Sequence, residues 1–215
     1  MRPGNEKIAQ TIYNAFIYCF ESRNLGKLAN DNTFRSAYFV STLAKGIHQE
    51  FFIDSKLNVL SIDNSEERRQ KGEWLFDFCM TERCHITDKK YGGNTDINTK
   101  ILFAGESEFH TSIEGFGKDF GKLICSNANQ YCYIQGLNQK TAEGRRDFIL
   151  SRKEIITKQL HQFINDDFVL AFVPTPGIRE TMSFWDENEK DVVSWIEIYI
   201  YDKSANTFNL FTTEK

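Results

Sequence analysis

The chain has 215 residues, a net charge of −4, only three prolines, and an apolar content in which 19 Phe and 8 Tyr supply much of the bulk. Such a chain is long and apolar enough to bury a substantial core, which excludes a disordered protein. The acidic balance excludes a protein that coats nucleic acid through a broad basic surface, although a small local cluster can still meet a phosphodiester.

Residues 5–22 place Ile8, Ile12, Ala15, Phe16, Cys19 and Phe20 on one helical stripe. Residues 33–52 do the same with Val40, Leu43, Ala44, Ile47 and Phe51, behind a cap at Asp31 or Asn32. A short strand is expected over 57–62, followed by the charged turn NSEERRQKG, where the arginines of EERR (66–69) are read as a solvated turn. Next comes EWLFDFCMT, with Trp74, Phe76, Phe78 and Met80 on one face and Leu75, Asp77 and Cys79 on the other. Both faces are mainly apolar, as in a central strand over 73–81. A polar connection containing the glycine turn YGGNTD leads to a strand over 100–109. A helix over 114–127 carries Phe116, Phe120, Leu123 and Ile124, and the strand QYCYIQGL follows. A long helix over about 143–164 and two strands, DFVLAFV and VVSWIEIYIY, complete the pattern. This predicts an α/β (α+β mixed) fold, a central mixed β-sheet flanked by helices, as a single domain over 1–215.

Five cysteines, at 19, 79, 84, 125 and 132, form no CxxC pair, and there are only four histidines. Neither a disulfide framework nor a zinc site fits these spacings, so buried, reduced thiols are expected. No apolar run approaches the roughly 20 residues of a membrane span, and MRPGNEKIAQ lacks the apolar core of a signal peptide. A cytoplasmic protein with no membrane partner is the expectation.

The most informative stretch is ILFAGESEF, residues 101–109. Strand alternation puts Leu102, Ala104, Glu106 and Glu108 on one face and Ile101, Phe103, Gly105, Ser107 and Phe109 on the other. The two carboxylates then lie about 6.6 Å apart at roughly 3.3 Å per residue, near enough to bear on one divalent cation or its bound water. An acidic pair ending an apolar strand is costly without a positive partner. Lys118 and Lys122 on the following helix, and a metal ion, are the candidates.

From residue 33 to 137 the order is helix, three strands, helix, strand. With Asp77 in GEWLFDF, Glu106 in AGESEF and Lys122 in KDFGKL, this resembles the PD-(D/E)xK, restriction-endonuclease-like nuclease superfamily over about half the chain. The resemblance implies an αβββαβ core over about 33–137, with the N-terminal helix, C-terminal helix and last strands as elaborations. It departs at one position, where Glu108 stands in place of the lysine two residues after the second acid. Lys122 then resembles the migrated lysine of some members, with Lys118 its rival one turn earlier. The resemblance also implies a metal-dependent nuclease. Asp77 and Glu106 would hold Mg²⁺ or Mn²⁺, and the carbonyl after Glu106 would add an oxygen. Lys122 would orient or help deprotonate the attacking water, and Glu108 would bind a second metal or hold the lysine. His110, Glu73 and Glu50 are lesser candidates. Nucleic acid, with DNA expected, is the implied partner, and a homodimer or a protein partner also fits. The competing reading is a catalytically inactive nuclease-like interaction, immunity or accessory protein.

Overall fold

The computed structural model describes residues 4–50, 57–61, 75–163, 167–177, 184–186 and 192–212. In chain order the elements are helices α1 (Asn5–Glu21) and α2 (Asn32–Glu50), strands β1 (Leu57–Ser61), β2 (Phe78–Thr87) and β3 (Asn94–Glu108), helix α3 (Ile113–Cys125), strand β4 (Tyr131–Leu137), helix α4 (Ala142–Phe163), and strands β5 (Phe168–Pro174), β6 (Glu197–Asp202) and β7 (Thr207–Leu210).

These strands form one seven-stranded sheet in sequential order. β1, β2 and β3 pair antiparallel, β3, β4 and β5 pair parallel, and β5, β6 and β7 are again antiparallel. Each parallel step needs a crossover. Two right-handed crossovers stepping the same way across a sheet put their helices on one face, and α3 and α4 accordingly share a core with Ala104, Tyr133, Phe168 and Phe172. α1 and α2 cover the opposite face, packing on Phe78, Phe103, Ile134 and Val169. Because both faces are covered, β4 and β5 are buried along their whole length.

The helical stripes behave as their spacing dictates. Ile8, Ile12, Ala15, Phe16, Cys19 and Phe20 are all buried, as are Phe39, Val40, Leu43, Ala44 and Ile47. Phe51 lies outside the described residues. Asp31 provides the cap of α2, its Oδ1 accepting the Phe34 N–H at 2.9 Å. Between these helices and the sheet, Phe16 stands edge-on to Phe39 and Trp185 at 5.9 and 5.7 Å.

The structure adds a last strand, β7, to those the sequence pattern predicts, and differs from that pattern in four further places. The second strand begins at Phe78 rather than near 73, and Asp77 lies in the bend before it. Residues 82–100, read as a polar connection, are instead the continuation of β2 and β3 as a hairpin. A register irregularity between Met80 and Thr81 leaves Leu102 unpaired opposite them and turns it toward the α1/α2 core, while Ile101 joins Ala104 on the other face. Finally, residues 192–195 form a helical turn closed by Trp195 N–H to the Val192 carbonyl, and the strand starts only at Glu197. Burying Val192 completely satisfies its apolar side chain without a strand.

Candidate functional site

The site forms at the carboxyl end of β3. Phe78 pairs with Gly105 and Tyr133 pairs with Glu106, so the start of β2 and the middle of β4 flank the acid. Gly105 is required here, since a Cβ would come within 2.2 Å of the Phe78 ring. That close approach fixes β2 against β3 beside Glu106.

Glu106 is 0% exposed. Burial and the neighbouring Asp77 charge push its carboxyl up to about 8, against the downward pull of Lys122. Its Oε1 faces the Lys122 ammonium at 3.1 Å, and its buried Oε2 has no hydrogen-bond partner among the described residues. Asp77 is held by Ser107, whose backbone N–H donates to Asp77 Oδ2 at 2.7 Å and whose hydroxyl donates to the same oxygen.

α3 brings the cation. Ser112 caps it by accepting the Gly115 N–H at 3.1 Å, and Phe116, Phe120 and Leu123 lock its apolar side on the sheet. That rotation points Lys122 at β3. Its ammonium also meets Asp119 Oδ1 at 3.1 Å; burial opposes its charge, but the bonds to Glu106 and Asp119 win and raise it above the ordinary lysine range. Lys118 stays at the surface, 3.4 Å from Glu114. Of the two rival lysines, Lys122 is therefore the one at the acidic cluster.

Glu108 turns to its own corner. Its Oε1 accepts the His110 N–H at 2.7 Å, and a Cβ on Gly115 would come within 2.2 Å of its Oε2, so the carboxylate lies against the first turn of α3. Burial raises its carboxyl, and the His110 N–H opposes this. Glu50 pairs with Lys7 at 3.4 Å on the α1/α2 side, and the sheet separates that side from Lys122. His110 is exposed. Glu73 and residues 66–69 lie outside the described residues. Of the cysteines, Cys19, Cys79 and Cys132 are buried as expected, whereas Cys84 and Cys125 are exposed.

Four further residues belong to the site. Asp119 holds Lys122 from its own helix, an (i, i+3) spacing visible in the sequence. On β4, the Tyr133 hydroxyl is buried without a hydrogen-bond partner among the described residues; burial, then Glu108 and Asp119, raise it. Gln135 Nε2 donates to the carbonyls of Glu108 and His110 at 2.7 and 3.0 Å. From α4, Arg152 Nη2 donates to the Thr111 carbonyl at 2.8 Å. Gln135 and Arg152 thus clamp the turn that follows β3.

Among the described residues no group of three or more His, Cys, Asp or Glu side chains is placed to hold a metal. Two carboxylates suffice for Mg²⁺, which keeps several waters and takes further oxygens from substrate phosphate. The hard oxygens of Asp77 and Glu106, with Glu106 Oε2 unpartnered, fit that role. No protein-family model matches the chain, and no curated protein and no solved structure matches it. No helix among the described residues is long and apolar enough to cross a membrane.

Proposed function

We propose that the chain is a metal-dependent nuclease of the PD-(D/E)xK kind, hydrolysing phosphodiester bonds with DNA as its expected substrate. One observation carries the reading: the Lys122 ammonium reaches from α3 to within 3.1 Å of Glu106, beside Asp77 at the end of a central strand. The order α2, β1, β2, β3, α3, β4 around it is the order that the resemblance requires.

In this reading Asp77 and Glu106 hold Mg²⁺ or Mn²⁺. The ion, when bound, neutralises charge on the scissile phosphate and makes its water more acidic. Lys122 donates a hydrogen bond to the attacking water, Asp119 fixes the direction from which that ammonium approaches, and Ser107 fixes the Asp77 carboxylate. Gln135 and Arg152 hold the turn behind the acids. Glu108, engaged by the His110 N–H, supports the corner.

One observation favours the second reading, a catalytically silent interaction protein: Glu106 is completely covered and already paired with Lys122. The same experiment decides between them. Purified protein is incubated with single- and double-stranded DNA and RNA in Mg²⁺, Mn²⁺ or chelator; cleavage that needs the ion supports the nuclease, and an inert protein in every combination supports the interaction protein.

A further inference from the structure

β2 and β3 run on past the body of the sheet. Among the described residues β1 pairs with β2 only as far as Glu82, and β4 pairs with β3 only from Ala104, so residues 83–100 form a two-stranded ribbon whose edges are unpaired among those residues. Every side chain from 84 to 100 is exposed. The tip is nevertheless closed by its own hydrogen bonds. Asp88 Oδ1 accepts the N–H groups of Lys90 and Tyr91 at 2.8 and 3.0 Å, and the Gly92 N–H closes on the Asp88 carbonyl at 3.1 Å. Gly92 and Gly93, at φ of 75° and 126°, take backbone conformations that other residues avoid.

The arm's charge is one-sided once its acids are accounted for. Those backbone N–H groups occupy Asp88 and hold its carboxyl below the usual range. Asp96 faces Arg83 at 3.4 Å and His85 at 2.9 Å. Lys89, Lys90 and Lys100 have no ion pair among the described residues. Tyr91 is 79% exposed, with the Lys90 ammonium 4.8 Å from its ring centre. Two cations and an aromatic face therefore stand together at the end of a preorganised finger in an otherwise acidic protein.

We propose that this ribbon is a nucleic-acid-binding arm, with Lys89 and Lys90 on phosphates and Tyr91 stacked on a base. A two-stranded ribbon is of a size to enter a major groove about 12 Å wide, and stacking on an aromatic ring is tolerant of sequence. Nucleic acid as the partner rests on the nuclease reading; the arm itself does not. A second copy of the chain is the weaker occupant, because the apolar side chains exposed on the ribbon body, Cys84, Ile86 and Ile97, fall well short of the roughly 800 Å² per partner of a stable interface.

The test is fluorescence anisotropy in chelator with a labelled 20-nucleotide single strand and a 20-base-pair duplex, across salt concentrations. Lys89→Ala/Lys90→Ala should weaken binding about tenfold or more and reduce the slope of log K against log salt by about two. Tyr91→Ala should weaken the single strand by about fivefold or more. Melting temperatures should not move, and Lys45→Ala/Lys158→Ala should bind as the wild type does. Equal binding by wild type and arm variants, no binding by the wild type, or an equal loss in the Lys45/Lys158 control overturns the proposal. So does a dimer in sedimentation that Ile86→Lys dissociates while nucleic-acid binding persists. Because cleavage plays no part in chelator, unchanged binding in the arm variants leaves the nuclease reading standing, and loss of cleavage in site variants leaves the arm standing.

Discussion

The Lys122 ammonium from α3 and the Glu106 carboxylate from β3 meet at 3.1 Å, with the lysine one-third exposed and the glutamate enclosed. The pair is lopsided. Lys122 can turn toward solvent, while Glu106 has left water entirely and carries the desolvation cost. Folding therefore makes ionisation costly at one defined carboxyl, a cost that a cation can relieve.

The pH dependence of stability follows from that. Glu106 is raised from 4.5 to about 8, so the folded chain keeps a proton that the unfolded chain has released. Stability in chelator should fall as pH rises between about 4.5 and 8 through this group, and Glu108, also raised, adds with the same sign. Glu106→Gln should melt higher than the wild type at pH 9 and close to it at pH 5. Thermal unfolding across pH 5–9 measures this, and an unchanged difference between the two proteins across that range would contradict the buried, raised carboxyl.

Divalent ions should act on the same penalty. Mg²⁺ or Mn²⁺ at pH 8 should raise the melting temperature by mass action, about 2.7 kcal/mol of stability at a hundredfold excess over Kd. Asp77→Asn and Glu106→Gln should each cancel most of that shift. The ion-induced shift is read by calorimetry, and its survival in both variants would exclude these ligands.

Glycine substitutions test the packing beneath the site. Gly105→Ala forces a Cβ into the Phe78 ring and should destabilise by about 1–3 kcal/mol. By contrast, Gly117 and Gly121 lie within α3 with nothing within 4 Å of a Cβ. Alanine at either should stabilise by about 0.5–1 kcal/mol. Chemical denaturation distinguishes the two classes.

Much of this architecture was legible in the sequence because apolar period reports burial directly. The stripes of α1 and α2 state which face is covered, and the mainly apolar runs of β4 and β5 state that both faces are. Asp77, Glu106 and Lys122 were legible as charges placed against apolar neighbours. The (i, i+3) spacing of Asp119 and Lys122 and the polar Gln135 within an apolar run were visible in the sequence, but only the rotation of α3 and the register of β4 place them at the site. Arg152 comes from a helix whose stripe predicts packing alone. The ribbon was illegible because polar residues in a two-sided exposed hairpin show no face, and β7 follows a turn, residues 202–206, in which Asp202 accepts backbone N–H groups; that single Asp turn signal was the available clue. The displacement of Leu102 depends on a bulge, which no alternation rule anticipates.

The central claim is that Lys122 serves chemistry at Glu106 and Asp77, and single-turnover cleavage of nucleic acid in Mn²⁺ by wild type, Lys122→Ala and Lys118→Ala tests it most directly. Lys122→Ala should slow the chemical step at least about a hundredfold with binding retained, as expected for loss of a positioned donor, while Lys118→Ala, whose partner is the surface Glu114, should stay within about twofold. A wild type that cuts no substrate, or a Lys122→Ala protein that cuts as fast as the wild type, would contradict the account.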